Sequence, residues 1–258
     1  MRALFTYAAL IAAAIRTSLA DRANFVLQAF GMLINNGFFL LLWFMFFAGF
    51  RSVGGWELRD LALLLGIGVS MVGVSGVFFG GYRDMAAVIL NGEPDALLTQ
   101  PWAVLPRLLA RESIASAWGD LLTGAVMLIV FADITAARIP LILLGVAAAS
   151  VIYVSAAVTF ASMAFWIVGA RSFARDLTDF TLLFSSYPGS IYSGATKVIA
   201  YTVLPAGFIV LAPVRLLRDP NLQTLAVVVG SAVVYAAIAA ATFSLGLRRY
   251  RRGAAPAG

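Results

Sequence analysis

The most constraining feature of this chain is a set of apolar runs longer than 18 residues with few or no charges. FVLQAFGMLINNGFFLLLWFMFF (25–47) and LALLLGIGVSMVGVSGVFFGG (61–81) are the first two. A helix rises about 1.5 Å per residue, so about 20 apolar residues cross the hydrocarbon core of a bilayer. Only 12% of the 258 residues are charged and 62% are hydrophobic, against about 25% charged in a typical soluble domain. The mean hydropathy is +0.96. The chain therefore reads as an all-α polytopic membrane protein forming a single transmembrane domain over 1–258.

Further runs at about 113–131, 140–167, 177–194 and 222–246 complete six expected spans. Residues 1–22 imitate a secretory signal peptide, with a basic start, an apolar middle and Ser18-Leu19-Ala20. Arg16 interrupts the apolar part, and a span follows at once. At 100° per residue Leu4, Ala8, Ile11, Ile15 and Leu19 share one face, and Arg2, Thr6, Ala9, Ala13 and Arg16 the other. A helix lying in the membrane interface is the preferred expectation.

The 18 basic residues orient the spans. With six spans and the N-terminus inside, twelve lie inside, including Arg83, Arg107, Arg111 and the four arginines of the RRYRR tail. Six lie outside: Arg51, Arg59, Arg138, Lys197, Arg215 and Arg218. This obeys the positive-inside rule and puts both termini in the cytoplasm. Two full spans within 180–217 would export the tail. Residues 195–219, broken by Pro205, Gly207 and Pro213, are instead expected to enter from outside and turn back. Such backbone must be shielded by protein or water; a kinked ordinary helix is the alternative.

The charge of +6 does not mark a nucleic-acid binder, because the arginines sit mostly at the ends of apolar runs. There are no cysteines and no histidines. Thiolate and imidazole metal sites are thus excluded, as is the usual proton shuttle. No GxxxxGK[ST], HExxH or GxSxG occurs. Energy for any work must come from a separate chain, and no cofactor is expected in this one.

Several residues invite both a functional and a structural reading. Gly76 and Gly80 form a GxxxG with Gly66, Ser70 and Gly73 upstream. Such small residues pack either a partner chain or a neighbouring span. Asn35 and Asn36 lie near the centre of the first span, and Asp120 lies roughly 10 Å into the third. An aspartate at a helix centre costs about 2.5–3.5 kcal/mol on translocon scales. Asp120 should face protein or water, as a pathway or proton site or in an interhelical hydrogen bond. Ser185, Ser186, Tyr187 and Tyr192 cluster around Pro188, as a route lining or as an interfacial aromatic belt.

One stretch is neither apolar nor short of structure. NGEPDALLTQPWAVLPR (91–107) holds Pro94, Pro101 and Pro106 within the polar connection 82–111. Short helices are expected over 82–90 and 102–111, with Pro94 and Pro101 as rigid breaks between them.

The order of elements resembles the permease subunits of ABC-2-type ABC transporters. The motifs that carry the resemblance are Gly92-Glu93-Pro94-Asp95-Ala96-Leu97-Leu98-Thr99-Gln100-Pro101, Tyr187-Pro188-Gly189-Ser190-Ile191-Tyr192, and Pro205-Ala206-Gly207-Phe208 with Pro213. Pro94 is an addition to the usual pattern. The resemblance implies a permease, by expectation an exporter, in the inner membrane of a bacterium. It implies that 82–111 is a coupling loop seated on an ABC ATPase subunit, which would carry ATP and Mg. Glu93, Asp95, Leu97, Leu98, Gln100 and Pro101 would make or flank that contact. Asn35, Asn36, Asp120, Ser185, Tyr187 and Tyr192 are the pathway candidates. Pro205, Phe208 and Pro213 would belong to an outer gate. A second permease chain, identical or homologous, and the lipid bilayer would be the other partners. The competing reading is a proton-coupled carrier or channel that uses Asp120.

Overall fold

The computed structural model describes residues 2–50, 52, 55–100, 102–132, 134–189 and 192–253. Among these there are helices and turns and no β-strand. Four helices are long and apolar enough to cross a membrane: Arg22–Gly49, Leu58–Leu90, Arg138–Phe165 and Leu222–Arg251. A bent pair, Gly194–Thr202 with Gly207–Arg218, makes an angle of 75°.

Helix α1 (Arg2–Ser18) is followed by α2 (Arg22–Gly49). The Asp21 carboxylate caps α2 by accepting from the Asn24 N–H at 3.0 Å. In α1 the side turned to the protein carries Tyr7, Leu10, Ile11, Ala14 and Ile15, whereas Ala8 and Leu19 are exposed. The inward stripe is thus rotated from the face expected at Ala8 and Leu19. The Tyr7 hydroxyl, which donates to the Phe78 carbonyl at 3.2 Å, sets that rotation together with Ile15.

The centre of the molecule is the pair α3 (Leu58–Phe79) and α7 (Ala115–Phe131). A Cβ on Gly73 would come within 2.5–2.8 Å of Leu121 main-chain and side-chain atoms, and one on Gly76 would strike the Ala117 methyl. From the other side, a Cβ on Gly124 would strike the Ser70 hydroxyl. The small-residue stripe therefore packs within this chain, and van der Waals contact between the two backbones holds it. Gly119, on another face of α7, lies against the Ala29 carbonyl of α2.

Gly80-Gly81 ends α3 in a 3₁₀ turn (Gly80–Tyr82), over which the returning chain crosses. Side chains there would collide with the Glu112 and Leu108 carbonyls. Three short helices follow: α4 (Met85–Leu90), α5 (Pro94–Leu98) and α6 (Val104–Leu109). The expected outer pair is present in shortened form. The middle differs, because Pro94 starts a helical turn there. Proline suits a first helical position, where its missing N–H would have no partner anyway.

Helix α8 (Arg138–Ser162) tolerates Pro140 because it falls in the first turn. Helix α9 (Ala170–Ser185) departs from the expected span 177–194. It starts inside the charged segment, with Arg171, Arg175, Asp176 and Asp179 on the helix, and it ends before Pro188. Proline disfavours helical backbone in the residue before it, which accounts for the early stop. The charged start survives as helix because its polar side faces a cleft, as described below.

Helices α10 (Gly194–Thr202) and α11 (Ala212–Arg218) flank a π-helical turn, Gly207–Leu211. Pro213 has no N–H for the preceding turn, and the widened turn accommodates that. Val210 approaches the position of a Gly68 Cβ at 3.8 Å, ten residues or about 15 Å along α3 from Leu58. At the end of α11, Arg218 pairs with Asp60 and lies 4.7 Å over the Trp56 ring. Helix α12 (Leu222–Arg251) closes the chain, with the Asn221 side chain accepting from the Thr224 N–H at 2.9 Å. Its helix includes most of the arginine tail.

Candidate functional site

Two places gather the polar side chains. The first is the hairpin α5–α6 at the end of the molecule where α1 and the arginine tail lie. Gly92 turns the chain into it at φ +75°, a conformation that favours glycine. The Arg107 guanidinium donates to the Leu97 carbonyl at 3.1 Å and to the Gln100 side chain at 2.5 Å. Arg111 pairs with Glu93 at 2.7 Å. Tyr250, near the end of α12, lies beside the Gly92 turn. A Cβ on Gly92 would sit 3.5 Å from the Tyr250 hydroxyl.

Of the contact candidates, Glu93, Asp95 and Gln100 are exposed, and Leu97 and Leu98 are half-buried against the core. Pro101 lies outside the described residues. The hairpin thus presents a polar surface of Glu93, Asp95, Ala96, Thr99 and Gln100, and its leucines anchor it from beneath. Sequence reasoning singled out neither the two bracing arginines nor Tyr250. Only the i, i+10 arrangement of Leu97 and Arg107 about the turn could have signalled the first brace.

The second place is a cleft between α2, α3, α7 and α9. One cavity of about 480 Å³ holds Asn35, Asn36, Asp120, Ser185 and Ser186 among apolar walls. The Asn36 amide donates to Asp120 Oδ1 at 2.8 Å. Thr123, next to them, gives its hydroxyl to the Gly119 carbonyl at 2.8 Å. Asp120 is only 4% exposed, and its Oδ2 has no hydrogen-bond partner among the described residues. A second cavity of about 480 Å³ lies towards the basic end, with Arg83, Asp84, Glu112, Arg171, Arg175 and Asp179 on its walls. Arg83 lines both.

Four pathway candidates, Asn35, Asn36, Asp120 and Ser185, therefore converge on one cavity, although Ser185 gives its hydroxyl to the Thr181 carbonyl at 2.7 Å. Tyr187 and Tyr192 do not join them. The Tyr187 ring meets Trp43 at 6.4 Å, and Tyr192 stacks on Phe184 at 5.4 Å and donates to its carbonyl. Arg83 went unnoticed in the sequence because it reads there as one more end-of-span arginine. The outer-gate candidates sit together in the bent segment. Pro205 and Pro213 are buried, the latter facing Gly145 of α8. Phe208 is half-buried between Tyr201 (5.6 Å) and Tyr235 (6.1 Å).

Long apolar helices, with a polar cleft among them and a braced loop at the basic end, fit a multi-pass membrane protein. The family model described as ABC-2 family transporter protein matches residues 33–253, and the chain belongs to that family. It is thus a membrane component of the ABC transporter class. No curated protein and no solved structure matches the chain.

Proposed function

We propose that this chain is the permease subunit of an ATP-driven exporter in the inner membrane of a bacterium. A separate ABC ATPase subunit, carrying ATP and Mg, docks on the polar face of the α5–α6 hairpin. A second permease chain, identical or homologous, completes the membrane unit. The observation that carries this reading is the bracing of the hairpin. Arg107 and Arg111 tie it to its own return segment, and the Tyr250 hydroxyl of α12 lies beside its Gly92 turn. A push on Asp95 or Gln100 then moves a span rather than bending a loop.

Six crossings follow if α2, α3, α7, α8, α9 and α12 each traverse the bilayer. Helices α10 and α11 then enter from outside and return, with Pro205, Phe208 and Pro213 at the outer gate. The approach of Val210 to Gly68 supports that depth, and the Arg218–Asp60 pair supports the return. The arginine distribution supports a cytoplasmic position for α1, the hairpin and both termini, where ATP is present.

The test is purification of the full chain from its native membrane in mild detergent. The expected result is co-elution with an ATP-hydrolysing subunit, weakened by Asp95→Arg and by Ala96→Trp. Transport by the chain alone in proteoliposomes, driven by a proton gradient and abolished by Asp120→Asn, would favour the carrier reading instead. That reading draws its support from the unpartnered Asp120 Oδ2.

A further inference from the structure

The cavity carries two opposite charges on its walls, a buried Asp120 and an exposed Arg83. Asp120 is nine-tenths buried or more and keeps Oδ2 without a hydrogen bond. Arg83 lines the same cavity without bonding that oxygen. Phe38, Phe39, Leu64 and Val69 line the same cavity. A carboxylate in such a place gains most from a donor that carries positive charge. A ligand that is only cationic would also face the Arg83 guanidinium. One that is only anionic would be buried beside Asp120. Like-signed pairs of either kind are costly where water is scarce.

We infer that the cavity binds an amphipathic zwitterion, with a protonated primary amine at the Asp120 carboxylate, an acidic group towards Arg83 and an apolar body along Phe38 and Phe39. The volume of about 480 Å³ lies within the range of about 300–1,000 Å³ usual for small-ligand sites. Asn36, bonded to Oδ1, fixes the carboxylate on the cavity wall. The charged cavity beyond Arg83 has three arginines and three acids. It therefore continues the same balance of charge towards the basic end. The chemistry is shared by two sources, a lipid with an aminoethyl phosphate head and a short apolar peptide with free termini. As a cargo site, the cavity rests on the transport reading; as a binding site, it does not.

The test uses the full chain in maltoside micelles and native mass spectrometry. The probes are dilauroyl phosphatidylethanolamine, dilauroyl phosphatidylglycerol, dodecylamine and the tripeptide leucyl-leucyl-phenylalanine. The zwitterionic lipid or the tripeptide is expected to bind at least about tenfold tighter than the glycerol lipid or the amine, the scale of one charge-assisted hydrogen bond. Asp120→Asn, nearly isosteric, should erase the advantage over the glycerol lipid. Arg83→Gln should erase the advantage over the amine, and Arg83→Lys should retain it. Preference for the lipid assigns a membrane source, and preference for the peptide a soluble one. Equal binding of all four probes, or a preference that survives Asp120→Asn, overturns the inference. ATPase co-elution is measured on the same variants. Its loss in the unaltered chain would remove the transport reading and leave the binding result standing.

Discussion

Helices α2 and α3 are alike in apolar content and opposite in position. The most apolar stretch of α3 is 72% buried inside the protein, whereas that of α2 is 0% buried. Hydropathy selects both for the membrane, but it does not say which goes to the centre. Small residues do. The α3 stripe of Gly66, Ser70, Gly73 and Gly76 admits α7 to backbone contact, whereas Gly31 and Gly37 of α2 have nothing within 4 Å of an added Cβ. Helix α2 turns Phe30, Leu41 and Met45 outwards and is left free to border a cleft. The protein thus has a close-packed central seam, α3–α7, and a periphery that includes α1, α2 and the hairpin.

The largest expected effect sets seam against periphery. Gly73→Val forces a side chain into the Leu121 backbone and should cost about 3 kcal/mol or prevent folding. Gly37→Val should stay within about 1 kcal/mol. Thermal unfolding of both variants in detergent checks this, and equal losses would break the contrast. Next comes the cleft. Asn36→Leu leaves both Asp120 oxygens without the amide and should cost about 1–2 kcal/mol, read from the same melts.

The docking of α1 is weaker and pH-dependent. Burial pushes the Tyr7 hydroxyl from an ordinary 10.0 to about 12, so folding favours its neutral form. The stabilisation is fully present below pH 10 and is lost as the pH rises through about 12. Proteolysis at Arg16 should accelerate over that window, and Tyr7→Phe should flatten the dependence at a cost of about 1 kcal/mol. The smallest effect is expected at the hairpin. Glu93 and Arg111 are well exposed, and Arg111→Ala should shift stability by only about 0.2–1 kcal/mol. A larger shift in the melt would mean that the hairpin is part of the seam.

Much of this architecture can be read from the sequence, and what cannot has physical causes. The apolar runs locate α2, α3, α8 and α12 because burial in lipid depends on composition alone. Helix α9 escapes because its polar face is satisfied only by a cleft that other helices build. Pro94 reads as a break because the sequence does not say which side of a proline the helix occupies. The convergence of Asn36 and Asp120, 84 residues apart, depends on Gly119 seating α7 against α2, a tertiary fact with no local signature. Arg107 and Arg111 count as topology signals in the sequence and turn out to brace the hairpin as well.

The central claim is that the exposed hairpin face receives a motor subunit. Photocrosslinking in intact cells tests it most directly, with benzoylphenylalanine placed at Ala96 or Thr99 of the full chain and at Phe38 as a control. The account predicts adducts from Ala96 and Thr99 with a protein that carries an ATP-binding P-loop, and none with that protein from Phe38. A chain that transports its cargo yet gives no such adduct from either hairpin position would contradict it.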